Sequence, residues 1–326
     1  MNLNPHVNHR LLFGIILAGF VFLTCVIAVN PALWVQEHTD PLPGSRPLSA
    51  EEERGLAVYV AEGCPYCHTQ QVRPLALDRP YGRPSAPGDY ARLRPQDFWR
   101  MTPGLLGTER TGPDLSNLAA RQPSDTWNYV HLYNPRAVVG DSVMQAYPWL
   151  FGVNREPSAN DVVVPVPPKF APPEGKVTAT ADAKALVAYL ISLKQAPVPG
   201  YAESGGVAAP GPQAAASAAG KGIYGTHCAS CHGQNGEGVP GVFPPMKGDP
   251  VVIAADPARH IAIVIFGLQG EAIGGVNYGA AMPEHGDELT DAEIAAVVNH
   301  ERTSWGNSAP TATPADVARV RKEGKR

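Results

Sequence analysis

One five-residue pattern occurs twice in the chain, as Cys64-Pro65-Tyr66-Cys67-His68 and as Cys228-Ala229-Ser230-Cys231-His232. The two copies use four of the five cysteines. Two thiols three positions apart with a histidine directly after them form the attachment pattern of a c-type haem. The thiols reach the two vinyl groups of one porphyrin, and the adjoining imidazole is held against the iron. Competing readings explain less. A thioredoxin-like redox pair leaves the following histidine without a role, twice. A zinc ribbon spaces its knuckles roughly 15–20 residues apart, whereas these motifs begin at positions 64 and 228. Two disulfides likewise leave the histidines idle. The residues therefore predict two covalently attached haem c groups. Cys64 and Cys67 would hold one and Cys228 and Cys231 the other, with His68 and His232 as iron ligands.

Composition agrees with small domains wrapped on such a group. The chain has 326 residues, 33 Gly and 34 Pro, and only 17% charged residues. A loop-rich domain of roughly 70–100 residues buries little side-chain surface, and a large apolar group makes up for that. A net charge of −4 gives no basic surface for nucleic acid. The expected fold class is mainly α, with one N-terminal transmembrane helix and two haem domains. The membrane segment is Leu11 to Val29, where Thr24 is the one clearly polar residue. At about 1.5 Å per residue it spans roughly 28 Å, close to the ~30 Å of a hydrocarbon core. It is longer than the apolar region of a cleaved signal and exits through Ala28-Val29-Asn30-Pro31, which is no small-x-small cleavage site. Arg10 before it and Glu37 and Asp40 after it favour a cytoplasmic N-terminus. Haem c is attached on the periplasmic side, so the expected location is the bacterial inner membrane, single-pass, with the haem domains in the periplasm. Trp34 falls where an interfacial aromatic belongs, and Cys25 reads as a small packing residue.

The chain repeats itself. Each copy has a helical approach, the C-x-x-C-H motif, a proline turn, a methionine and an amphipathic helix. In the first copy Ser49 and Glu52 predict a capping box, and Ala185, Leu186, Tyr189, Leu190 and Leu193 recur at helical spacing near its end. In the second copy Gly222-Ile223-Tyr224 before Cys228 echoes Ala57-Val58-Tyr59 before Cys64, and Thr290 with Glu293 predicts another capping box. The expected division is an anchor at 1–35, a first haem domain at 36–196, a flexible linker at 197–213, a second haem domain at 214–308 and a polar, fraying tail at 309–326. The linker, rich in Ala, Gly and Pro, would let the second domain shuttle. Val162 to Glu174 reads as a Pro-rich insertion in the first domain.

Five methionines limit the choice of a sixth iron ligand. Met/His ligation raises the potential and suits electron transfer. In the first domain the candidates are Met101 and Met144. Met101 follows Phe98-Trp99 and reads as packing, so Met144 is preferred. In the second, Met246 aligns with the apolar Leu115 of the first copy, so Met282, ahead of the last helix, is preferred. A haem-ligating histidine usually donates its other ring N–H to an acceptor that fixes the ring, and the carbonyls of Pro113 and Pro244 are placed for it. His131 and His227 read as packing or exposed, and His260, His285 and His300 have no partner motif. No nucleophile elbow, P-loop or dinucleotide fingerprint is present. With six-coordinate irons the chemistry is outer-sphere electron transfer.

The first part resembles the monohaem subunit II of cbb3-type cytochrome c oxidases. The carriers are Glu62 to Pro74 around the first motif, Arg110-Thr111-Gly112-Pro113-Asp114-Leu115, His131-Leu132-Tyr133-Asn134-Pro135-Arg136, and Met144 to Leu150. The resemblance covers about residues 10–195. It implies one transmembrane helix, a periplasmic haem domain docked on the catalytic haem–copper subunit, and a haem held by Cys64, Cys67, His68 and Met144. Gln145 stands where the family usually has Pro. From about Ala214 to Asn307 the chain resembles a class I cytochrome c domain, through Cys228 to Gly233, Gly236-Glu237-Gly238, Phe243-Pro244-Pro245, Tyr278 to Pro283 and Ser304-Trp305-Gly306-Asn307. The resemblance implies an electron-transfer subunit of a cbb3-type terminal oxidase in the aerobic respiratory chain. A soluble or membrane cytochrome c would be its donor, and the catalytic centre would lie in a partner subunit. The alternative is a stand-alone membrane-anchored dihaem cytochrome c, or the cytochrome subunit of a periplasmic dehydrogenase.

Overall fold

A computed structural model describes residues 4, 6–90, 106–107, 109–198 and 219–324. Met101, nearly all of the 197–213 linker and the start of the second haem domain at Ala214 lie outside the described residues. The chain is mainly helical and divides into two compact units, one of residues 1–47, 85–102 and 196–201 and one of the rest.

The first unit holds the apolar segment. Helix α1 (His9–Thr24) runs through a π-helical turn at Cys25–Val29 into α2 (Asn30–Glu37). Asn8 starts it, its side chain accepting from Leu11 N at 3.2 Å. The π turn precedes Pro31, whose missing N–H and bulky ring break the regular ladder. His9–Trp34, 26 residues long, contains an 18-residue stretch of mean hydropathy 2.8 with none of it buried, and is long and apolar enough to cross a membrane. Cys25 lies on the unburied surface of this helix.

The second unit holds both C-x-x-C-H motifs and shows why the sequence repeats. Helix α3 (Ala50–Ala61) begins with the Ser49–Glu52 capping box. It crosses α5 (Ala181–Ser192), which Thr180 caps. The crossing is close enough that a Cβ on Gly55 would lie 1.9 Å from the Ala185 carbonyl oxygen. Tyr59 and Tyr189 fill the space beside it, ring centres 5.5 Å apart. The second copy builds the same crossing from the helical turn at 219–223 and α7 (Asp291–Thr303), which opens with the Thr290–Glu293 capping box. There a Cβ on Gly220 would meet the Ala296 carbonyl at 2.2 Å, and Tyr224 takes the place of Tyr59. Both tyrosines are buried to 2% exposure or less.

Other elements fill in around these crossings. Helix α4 (Asp125–Tyr133) is capped by Ser124. A small antiparallel sheet, order β1-β3-β2, joins β1 (Phe151–Asn154), β2 (Val163–Val164) and β3 (Lys176–Ala179), with Phe151 opposite Ala179. Helix α6 (Ala258–Phe266) packs with α7 and with α8 (Pro314–Glu323). The tail expected to fray therefore folds. Thr313 and Asp316 form a third capping box, Val317 and Val320 are buried against Ile261, Ile265 and Ile294, and Arg321 bonds Asp291 and the Gly286 carbonyl. Arg302, fully buried, donates to the carbonyls of Pro310, Val252 and Ala254 and ties the tail down.

Within this unit the two haem domains touch. Trp127 donates to the Ser230 carbonyl at 2.7 Å. Lys194 pairs with Glu288 at 3.1 Å. Pro165, from the Pro-rich insertion, sits against Gly279. The two haem domains are thus a docked pair, where the linker composition suggested a free one.

Candidate haem sites

At the first motif, Gly63 in a left-handed conformation ends the approach to a single 3-10 turn at Cys64–Tyr66, and the His68 and Cys67 N–H groups bond the Cys64 carbonyl. This folds Cys64, Cys67 and His68 into one tight loop, with Cys64 buried and Cys67 exposed. Asp114 braces that loop, accepting from Thr69 Oγ1 at 2.6 Å and from Gln71 N at 2.8 Å. Arg110 bonds Thr69, Gln71 and Asp114, and pairs with the buried Asp78. Arg73 grips Asp78 with two guanidinium nitrogens and its own N–H. These two arginines hold the Asp78 carboxyl well below the usual carboxylate range.

The carbonyls expected to orient the ligand histidines do so at both motifs. His68 Nδ1 lies 2.8 Å from the Pro113 oxygen, and His232 Nδ1 lies 2.8 Å from the Pro244 oxygen. In each ring Nδ1 is thereby the donor and Nε2 is left with its lone pair, the tautomer an iron ligand needs. Burial lowers the pKa of both rings, which keeps them neutral. Gly112 is required beside His68: a Cβ there would lie 2.2 Å from Cε1 of the ring. Cys64 and Cys228 are buried, and burial pushes the Cys64 thiol up to about 12. Such thiols are not held as thiolates for redox exchange or for a metal.

The second motif opens into a cavity of about 1030 Å³, its mouth included. Cys228, Cys231, His232, Pro244, Met246 and Met282 all line it. Met246 also belongs to the core, packed with Tyr224, Val252 and Val297. Met282 is half-buried and is fixed by backbone bonds in both directions with Leu268. In the first domain Met144 is half-buried in a loop where its N–H meets Ser142 Oγ at 3.3 Å. The apolar lining, the thiol pair and the preset imidazole fit a covalently held haem.

Several residues at these sites carried no sequence signal. His260 and Glu301, both buried, bond at 2.7 Å in the second cavity, and His260 Nδ1 is left without a partner. His285 and His227 line the same cavity, with His285 Nδ1 3.5 Å from Glu288. Lys194 and His285 hold the Glu288 carboxyl down at about 2, His285 contributing most. His131 stacks on Trp127, ring centres 4.4 Å apart at 12°. Burial, with His68 nearby, lowers His131 to about 4. Gln122, Pro123 and Ser124 of the first domain line the cavity of the second. The His260–Glu301, Lys194–Glu288 and Gln122–Cys231 pairs are 41, 94 and 109 positions apart, so no local pattern announces them.

Comparison with known proteins gives two family matches. Residues 6–166 match the family described as cytochrome c oxidase, mono-heme subunit/FixO, and residues 217–305 match cytochrome c. Cytochrome c-552 of Thermus thermophilus is 42% identical over 90 residues, which is 26% of this chain and 67% of that protein. The cytochrome c subunit of the quinone alcohol dehydrogenase of Gluconacetobacter polyoxogenes is 40% identical over 110 residues, 33% of this chain and 24% of that one. The gluconate 2-dehydrogenase cytochrome c subunit of Pantoea cypripedii is 36% identical over 109 residues, 33% of this chain and 25% of that one. The chain thus spans about a quarter of the length of these dehydrogenase subunits.

Proposed function

Residues 6–166 belong to the mono-haem cytochrome c oxidase subunit family and residues 217–305 to the cytochrome c family, so the chain is an electron-transfer protein with two covalent haem c groups; from that premise we propose that it is the membrane-anchored dihaem electron-transfer subunit of a cbb3-type terminal oxidase. The haems supply reversible one-electron chemistry when bound. Cys64 and Cys67, and Cys228 and Cys231, would hold each group covalently. His68 with Met144, and His232 with Met282, would supply the protein ligands to the irons. Pro113 and Pro244 hold the imidazoles in the ligating tautomer. The Leu11–Val29 segment anchors the chain in the inner membrane with both domains on the periplasmic side. The Cys228–His232 site would receive electrons from a donor cytochrome, and the Cys64–His68 site would pass them to a haem–copper subunit that reduces dioxygen.

The observation that carries the electron-transfer part is the 2.8 Å histidine–proline bond, made once in each copy of the repeat. The oxidase assignment rests on the match of residues 6–166. The dehydrogenase relatives favour the second reading, a cytochrome subunit of a periplasmic dehydrogenase. The two separate on purification of a tagged chain in mild detergent, with reduced-minus-oxidised and carbon monoxide difference spectra. Co-purifying b-type haem, one copy of it binding carbon monoxide, is the oxidase result. Six-coordinate c-type haem alone, without a carbon monoxide response, removes the oxidase partner and leaves the second reading.

A further inference from the structure

Three side chains outside the thiol and iron-ligand set converge at the edge of the second cavity. His227, in the π-helical turn Tyr224–Cys228, brings its ring centre to 5.9 Å from that of His285, the planes at 80°. Glu288 follows one turn after His285, and one ligand atom from each of the three lies within 4.8 Å of the others. The backbone fixes His285. Its N–H donates to the Val264 carbonyl at 3.1 Å, and its carbonyl accepts from Glu288 N at 3.2 Å. The His285 side chain is only 5% exposed, and its Nδ1, 3.5 Å from a Glu288 oxygen, makes no hydrogen bond. His227 Nδ1 is likewise buried without a partner. Buried polar atoms are normally paired, and an unpaired one costs free energy that a ligand at the same place recovers. The other Glu288 oxygen is held by Lys194 Nζ, from the first haem domain, at 3.1 Å.

We propose that His227, His285 and Glu288 form a binding site for a divalent transition-metal ion of the zinc class, and that Lys194 competes with that ion for the Glu288 carboxylate. The site goes beyond the electron-transfer role and uses none of the iron ligands. Two imidazoles with one carboxylate suit Zn2+, Cu2+ or Ni2+, whereas Mg2+ and Ca2+ take oxygen ligands. Zinc bonds of about 2.0–2.1 Å in a tetrahedral shell set neighbouring ligand atoms about 3.3 Å apart. The 3.5 Å between His285 Nδ1 and Glu288 already matches, and rotation of the half-buried His227 closes the rest. Water takes the fourth position. Lys194 supplies a positive charge to the same carboxylate from the other domain. Metal binding and the Lys194–Glu288 contact are therefore linked, and each weakens the other by the same factor.

The test uses the full chain in detergent, with both haems loaded and a purification tag free of histidine. Zn2+ is titrated calorimetrically, with Mg2+ as the control, and haem content per chain is measured for each variant. His285 is buried in the core, so the substitutions are made at the partly exposed Glu288 and Lys194 and at His227. The expected result is one Zn2+ per chain and no Mg2+ binding. Glu288→Gln and His227→Gln should each weaken Zn2+ binding about tenfold or more with haem content unchanged. Lys194→Met should tighten it about threefold, as removal of an exposed competing charge allows. Zn2+ affinity unchanged in Glu288→Gln overturns the site, because the ion then sits on other histidines of the chain. Loss of haem from His227→Gln overturns it as well, since that assigns the ring to the haem pocket. Unchanged affinity in Lys194→Met removes the competition.

Discussion

Asp78 has no exposed surface and carries two arginines, and neither fact is written in any motif. Its carboxyl titrates below its unfolded value of about 3.9. The stability it contributes is therefore complete above that value and is lost as pH falls through the lowered folded value. Asp78→Asn should cost about 1–3 kcal/mol at neutral pH, because the charge-assisted hydrogen bonds to Arg73 and Arg110 weaken while Arg73 stays half-exposed and Arg110 keeps Asp114. It should also flatten the acid limb of the Tm-against-pH curve, and a variant curve parallel to the wild type below pH ~4 would refute this. The ligand set is tested at the same scale. Cys228→Ala with Cys231→Ala should halve the pyridine haemochrome signal per chain. Met282→Ala should make the C-terminal haem bind carbon monoxide, whereas Met246→Leu should leave it six-coordinate. The C-x-x-C-H pentapeptides and the Pro113 and Pro244 carbonyls were legible in the sequence because their chemistry is local or punctuated by proline. Asp78, Gln122, Trp127 and Glu301 were not, because each acts on residues brought in by the fold.

The helix crossings explain more of the sequence than the motifs do. Gly55 and Gly220 sit where two backbones meet, so Gly220→Ala should push α7 away and destabilise the second domain by about 1–3 kcal/mol, read as a lower Tm of its unfolding step. An unchanged Tm would mean that the crossing relaxes freely. The capping boxes at Ser49 and Thr290 were legible because an N-cap hydroxyl and an N3 carboxylate need only three-residue spacing. Helix α8 was misjudged for a related reason. Its buried face is only Val317 and Val320, and the remainder is charged, so its composition looks like a solvated tail. Deleting residues 309–326 should expose part of the Ile261–Ile294 core and leave Arg302 without its Pro310 acceptor, at a cost on the order of 3 kcal/mol. Retained stability on urea titration would show that the helix is dispensable. The three-stranded sheet escaped notice too, since β2 is two residues within a Pro-rich stretch.

For the whole molecule the main departure from expectation is that the two haem domains are in contact. Composition marked the 197–213 segment as a flexible coil, and composition alone carries no information about whether the surfaces at its ends fit each other. Among the described residues one ion pair, the partly exposed Lys194–Glu288, crosses the interface, and its Glu288 also lies beside His285 of the second cavity. Exposed pairs contribute roughly 0–1 kcal/mol, so raising the salt should change the inter-haem rate by less than about twofold, and a steep salt dependence would show that charge holds the domains together. The covalent connection alters what such an interface has to achieve. If 197–213 is the flexible coil that its composition predicts, a chain of about 17 residues would keep its ends roughly 20–25 Å apart and present one surface to the other at an effective concentration of about 1 mM. A contact with a stand-alone Kd of about 0.1 mM, roughly −5.5 kcal/mol, is then closed about nine times in ten, whatever the protein concentration. The same two surfaces, carried on separate chains and mixed at micromolar concentration, would scarcely be found together.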